Sequence, residues 1–109
     1  LDLLMASTMG RRLEQLGLRE LATMTEDRAR TAGIEFQRGV LLSKVAADSR
    51  LGGVFPSGTI VTRVDGRAVA YADELLARIE RAWMSGSGAL LVGVLPSGDQ
   101  ARLELEFGR

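Results

Sequence analysis

The chain has 109 residues with 14 acidic and 14 basic side chains, so it carries no net charge and no basic surplus for capturing nucleic acid or an anionic membrane. It contains neither Cys nor His. This excludes disulfides, thiolate nucleophiles, zinc–thiolate sites, Ser-His-Asp chemistry and imidazole pH switches within the sequence. The length suits one domain, and a hydrophobic content of 46% with 26% charged residues is an ordinary globular balance. No apolar run reaches the roughly 18 residues that a membrane-spanning helix needs. A chain without Cys fits the cytosol and an oxidising compartment alike. The N-terminus starts with Leu1 and lacks the basic region of a signal peptide, so it reads as a cut from a longer protein.

Residues 1–12 are assigned to an N-terminal extension or linker, and 13–109 to the domain; within the first, Leu1 to Met9 is apolar at 1, 3, 4, 5 and 9. Leu16, Leu18 and Leu21 then alternate loosely with polar residues and imply a short strand over 17–22. A glycine inside such a run, Gly17, marks a bulge or a close backbone approach. Thr25 to Gly33 has the punctuation of a small helix: Thr25 to cap it, Glu26 and Asp27 in the first turn, and Gly33 for a left-handed stop. Gly39 to Val45 is a strand apolar on both faces at its start, which suits a central place in a sheet.

Ala46 to Gly58 is irregular, with room for one helical turn at 48–51, and Phe36 and Phe55 are expected to pack under loops. Thr59 to Val64 is a β-branched strand that ends at Asp65-Gly66, a strong hairpin signal, with Val69 on a short return. The best helix runs from Ala72 to Met84 and opens on Asp73 and Glu74. Leu75, Leu76, Ile79, Ala82 and Trp83 form its apolar stripe, with Arg78, Glu80 and Arg81 on the outer face. Ser85-Gly86-Ser87-Gly88 ends it, a buried strand follows over 90–95, Pro96 to Asp99 turns the chain, and a cleanly alternating strand occupies 102–107. Mostly antiparallel strands with two helices make the fold α+β.

That order, with particular residues, resembles a PDZ domain of the Deg/HtrA-type serine proteases. Leu16-Gly17-Leu18 looks like the family's Φ-G-Φ carboxylate-binding loop. Met24 to Ile34 is similar to its Leu-Thr-Pro-Glu-Leu-Ala segment, and Gly39 to Val45 to its Gly-Val-Val-Val strand. Ile60 to Val69 resembles the Ile-(Ile/Val)-x-x-Val-Asn-Gly-x-x-Val stretch, and Ala72 to Ala82 falls where the groove helix belongs. There are departures: Gly58-Thr59 stands for Gly-Asp, Asp48 to Phe55 lacks the usual Ser-Pro-Ala…Ala-Gly-Leu pattern, and Pro96 replaces a common Arg.

The resemblance implies a small, mostly antiparallel, partly open barrel or sandwich of five to six strands capped by two helices, in the permuted strand order of bacterial members. It implies capture of hydrophobic peptide C-termini by β-strand addition. The carboxylate would meet main-chain N–H groups around Leu16, Gly17 and Leu18, the peptide strand would pair along Leu18, Arg19, Glu20 and Leu21, and Leu75, Leu76, Ile79, Ala82 and Trp83 would supply the groove helix. Simpler readings stand beside these: Gly17 as a plain bulge, Leu75 and Ile79 as core, Trp83 as a cover of the core, Arg19 as a solvated charge. The sequence does not set the rotation of the helix. Leu76, Ala82 and Trp83 border the stripe and are the better groove candidates.

The pairs Asp73-Glu74 and Glu104/Glu106 give no reason for a raised pKa, so acid–base catalysis is not expected. Gly52-Gly53 and the 85–88 loop lack the following Lys of a phosphate cradle. The fragment is thus expected to be no enzyme and to need no cofactor or metal. Its parent would be a serine endopeptidase of bacterial protein quality control, in the periplasm or cell envelope. Its partners would be C-terminal peptides or unfolded segments and the protease domain of the same chain, with homo-oligomers forming through the parent. One alternative is an interdomain or oligomerisation module whose groove is filled by Leu1 to Met9. Another is a PDZ domain of a C-terminal processing protease or a secretion component.

Overall fold

The computed structural model describes residues 16–105. Expectations resting on Leu1 to Met9, on the 1–12 boundary, and on Glu106 and Phe107 lie outside the described residues. The elements in chain order are β1 (Leu18–Thr23), α1 (Glu26–Ala32), β2 (Val40–Val45), β3 (Thr59–Val64), β4 (Arg67–Ala68), α2 (Ala72–Ser85), β5 (Ala89–Val94) and β6 (Gln100–Leu105). Each expected strand and helix is present. Boundaries shift by a residue or two; β6, for instance, begins at Gln100 because it pairs with Val94 straight across the Pro96–Asp99 turn.

The strands form one open antiparallel sheet in the order β1-β2-β3-β5-β6, with β4 paired to β3. The interior strands explain the continuous apolar runs. Val40, Leu42, Val61 and Val64 point into the main core with Phe55, Leu75, Ile79 and Leu91. Leu41 and Ile60 point to the other face, where Ala29 of α1 and Met24 just before it cover them. Too short to persist alone, α1 is held by that packing and by its caps. Thr25 accepts a hydrogen bond from the Arg28 N–H at 3.1 Å, and Gly33 takes the left-handed conformation at φ 72°.

Asp65 and Gly66, at φ 51° and 80°, make the two-residue turn between β3 and β4, the backbone pair that matches the twist of a hairpin. The 46–58 segment contains helical hydrogen bonds without a helix: Gly53 N–H donates to the Ser49 carbonyl at 3.2 Å and Phe55 N–H to that of Leu51 at 2.7 Å. The expected single turn at 48–51 is therefore a longer run of turns over 47–55.

Two side-chain expectations need correction. Phe36 does not pack under a loop; it lies in the irregular link between α1 and β2 and stays 46% exposed. Arg78 is not on the outer face of α2. It is half-buried beside Glu74, 3.7 Å from its carboxylate, because its position on the helix turns it toward the β3–β4 hairpin.

Phe55, fully enclosed by the main core, is the side chain whose loss leaves the largest void. Phe55→Ala is expected to lower stability by about 3–5 kcal/mol, and Phe36→Ala by less than about 1 kcal/mol. Denaturant midpoints of the two variants measure this; equal losses would contradict the packing described.

Candidate functional site

Among the described residues β1 pairs on one side only, with β2, so its other side is an open edge. Such an edge offers unpaired main-chain groups to an incoming strand. Its pairing with β2 is irregular, with register shifts between Leu18 and Glu20 and between Glu20 and Ala22. Leu18 and Leu21 are buried, Arg19 is exposed, and Glu20 turns back over the sheet to Ser43 Oγ at 2.9 Å and Lys44 Nζ at 3.8 Å.

The geometry just before β1 depends on a glycine and a serine 32 residues apart in sequence. Gly17 has φ 116°, which L side chains rarely adopt, and a Cβ there would overlap the side chain of Ser49. Ser49 Oγ is itself fixed: it donates to the Ala46 carbonyl at 2.5 Å and accepts from the Gly52 N–H at 2.9 Å. The same loop draws in two carbonyls of the opening segment. Leu51 N–H donates to the Leu16 carbonyl at 3.1 Å, and Ala46 N–H to the Gly17 carbonyl at 2.8 Å.

All peptide bonds described are trans, and across a trans peptide the carbonyl of one residue and the N–H of the next point opposite ways. The N–H groups of Gly17 and Leu18 therefore point away from the 46–51 loop. For Leu18 that is the open side of β1, since Ala46 continues β2 on the paired side.

Helix α2 forms the opposite wall, and its rotation follows from burial. At about 100° per residue, Leu75, Ile79 and Ala82 share one arc and are buried in the core. Arg78, Arg81 and Ser85 share one flank, which meets Val64, Asp65 and Arg67 at the hairpin. Leu76 and Trp83 share the other flank; they are half-buried and pack against the main core. This second flank faces β1, to which the start of α2 is tied by a hydrogen bond from Ala72 N–H to Thr23 Oγ1 at 3.0 Å. A 14-residue helix and a six-residue strand each span about 20 Å. With Thr23 at the start of α2, an antiparallel run of the two elements would set Leu18 beside the later half of the helix, the half that carries Trp83.

The structure thus brings Leu16, Gly17 and Leu18 together at the head of β1, and leaves Leu16, Leu76 and Trp83 half-buried against the main core while Ile79 is buried within it. Leu75 points into the core, and Ala82 lines the hairpin side rather than the β1 side. Sequence reading missed Ser49, Leu51 and Thr23, which position the cleft without belonging to it. The spacing Ser49-x-x-Gly52, a hydroxyl accepting an N–H three residues on, was the one local signal for the first of these.

The start of α2 is held by carboxylates in place of a cap from Tyr71, which makes no capping hydrogen bond. Glu74 Oε1 accepts from the Ala70 N–H at 2.9 Å. That bond, with smaller help from the Tyr71 N–H and the Arg78 guanidinium and against the opposing effect of desolvation, holds Glu74 below its ordinary value of 4.5. A carboxylate with a lowered folded pKa contributes stability that is complete above its ordinary value and is lost as pH falls through the lowered one.

Two outcomes follow. In a carboxylate-resolved NMR titration Glu74 is expected to have its midpoint below 4.5, and a midpoint at or above that value would remove its role in holding the helix start. Gly17→Ala is expected to cost about 1–3 kcal/mol from backbone strain and overlap. Part of this cost should vanish in a Ser49→Gly background, so a double-mutant cycle by denaturant unfolding should be non-additive; strict additivity would mean that the two residues do not press on each other.

No family model and no curated protein sequence matches the chain, but solved structures do. The HtrA3 PDZ domain bound to a phage-derived ligand (FGRWV) superposes with a TM-score of 0.57 at 24% identity, covering 86% of this chain and 91% of that one. The HtrA-type protease AlgW with a decapeptide superposes with a TM-score of 0.64 at 18% identity over 84% of this chain, which spans 27% of the AlgW chain. The open antiparallel sheet with its two helices, arranged so that one helix faces the free strand edge, is the fold of the PDZ domains of HtrA-type proteases.

Proposed function

We propose that this domain binds the C-terminal ends of proteins, taking up the last residues of a chain as an extra antiparallel strand on β1. The observation that carries this reading is the withdrawal of the Leu16 and Gly17 carbonyls into the 46–51 loop, which leaves the next two N–H groups turned outward at the head of an open strand edge. Successive N–H groups freed in this way form a nest for an anion, and the terminal carboxylate of a peptide is the anion that arrives with a strand attached. Beside it, the half-buried Leu16, Leu76 and Trp83, which pack against the main core, would supply an apolar floor for the last side chain. The HtrA3 domain was solved with the ligand FGRWV and AlgW with a decapeptide, which supports the peptide class.

Recognition by this means is sequence-tolerant, because most of the contact is main chain. A cleft of this size suits roughly micromolar affinity, about −8 kcal/mol. In the parent protein the domain would act as the recognition or regulatory part of a Deg/HtrA-type serine endopeptidase, working on exposed hydrophobic C-termini in the periplasm or cell envelope. A Gly-Asn-Ser-Gly-Gly segment encoded in the same reading frame would support that parentage, and a full-length protein lacking any serine-protease segment would remove it.

Trp83 is the single tryptophan and is half-buried on the α2 flank that this reading assigns to the cleft, so its emission should report occupancy. A pentapeptide ending in Val with a free carboxylate is expected to shift it saturably in the micromolar range. Amidating the peptide terminus should weaken binding at least about tenfold, the order expected for losing a charge-assisted pair of hydrogen bonds. Gly17→Asp should abolish it, because a side chain at φ 116° must displace Ser49 and so disturbs the turn that aims the N–H groups. Equal affinity for free and amidated peptides, or no saturable binding by any member of a C-terminal peptide library, would overturn the proposal.

A further inference from the structure

The opposite flank of α2 carries a second concavity, unrelated in chemistry to the β1 cleft. A cavity of about 290 Å³ opens between α2 and the β3–β4 hairpin. Arg78 and Arg81, three apart on the helix, meet Arg67 from β4 across it, and Ser85 and Ser87 close its end. Like charges do not gather at a concave site without cost, and here little compensates them. Among the described residues no acid lies within ion-pair distance of Arg67 or Arg81, and Arg78 meets only Glu74, through Nη2 at 3.7 Å. The Nε–H of Arg78 is buried and has no hydrogen-bond partner. A buried charged donor left unmatched is costly enough to call for an explanation.

Most other polar groups at the rim are engaged. Asp65 lines the cavity, but its Oδ1 accepts the Leu90 N–H at 2.9 Å. The carbonyls that end α2, which would repel an anion, are occupied: Gly86 N–H donates to Trp83 O and Ser87 N–H to Ala82 O, and Ser85 Oγ lies 3.0 Å from Arg81 O and 3.1 Å from Ala82 O. Three guanidinium groups thus line the cavity against one carboxylate, that of Asp65, and their planar donors match the oxygens of phosphate two at a time.

We propose that this cavity is a binding site for a phosphate-class oxyanion, held by Arg67, Arg78 and Arg81. The space exceeds that of a single water, which takes about 30 Å³ of liquid volume, so a tetrahedral anion fits with water around it. The inference does not depend on the peptide reading of the other cleft.

The probes are inorganic phosphate, chloride at matched ionic strength, and vesicles of phosphatidylcholine with or without phosphatidylglycerol, all followed by NMR. Phosphate is expected to shift the Arg78 Nε–H and the amides of Arg67 and Ser87 saturably, while chloride leaves them in place. The exposed pair Arg67→Gln and Arg81→Gln, which removes no buried group, should weaken the response at least about tenfold and leave the fold intact by amide spectrum. Binding of free phosphate identifies a soluble anion as the source. Binding only to phosphatidylglycerol vesicles, lost in the same double variant, identifies a lipid headgroup. Shifts that match those of chloride, shifts that survive the double substitution, or no response to either source would overturn the proposal.

Discussion

The contact between Gly17 and Ser49 governs the start of β1. One residue gives up its Cβ, and the other presses its side chain into the space, pinned there by Ala46 and Gly52. Gly52 is part of the same constraint, since a Cβ on it would overlap the Ala46 carbonyl that Ser49 uses. The loop then receives the Leu16 and Gly17 carbonyls, and the planarity of the peptide unit sends the next N–H groups the other way. A long-range steric fit thus becomes a local orientation of dipoles. The hydrogen bonds involved are individually modest, of the order of 1 kcal/mol each, and their value lies in direction more than in strength.

Helix α2 separates two environments by the simple device of its period. Its buried arc packs on the sheet, one flank carries the half-buried Leu76 and Trp83, and the other offers guanidinium groups to the hairpin. Burial of Leu75 and Ile79 supplies the stabilisation, on the order of a few kcal/mol for each side chain. Thr23 and Glu74 add little energy by comparison but fix where the helix begins, and so which residues fall on which flank. A shift by one position would rotate the helix by about 100° and exchange apolar for charged groups on the β1 side.

Much of this was legible in the residues themselves. Thr25 and Gly33 bracketed α1, Asp65-Gly66 marked the hairpin, the two-faced apolar run at 40–42 announced an interior strand, and β-branched residues marked the strand at 59–64. These are signals of short range, carried by neighbours in the chain. The rotation of α2 was not legible, because Leu75, Leu76, Ile79, Ala82 and Trp83 span an arc too wide to point one way, and only contact with the sheet divides them. Ser49 was illegible for a related reason: its meaning lies in Gly17, distant in sequence and adjacent in space. Phe36 and Phe55 show the same limit, as two like residues in irregular stretches of which only one found a place in the core.

The dependence of the β1 cleft on main-chain groups has a consequence for how such a domain can change over generations. Apart from Gly17, Ser49 and Gly52 at the head of β1, and Thr23 and Glu74 at the start of α2, its positioning rests on main-chain groups. Substitutions along Arg19, Glu20, Leu76 or Trp83 can therefore re-tune which side chains are preferred while the anchoring geometry stays as it is. If the cleft binds as proposed, its specificity is open to drift and its mode of action is resistant to it.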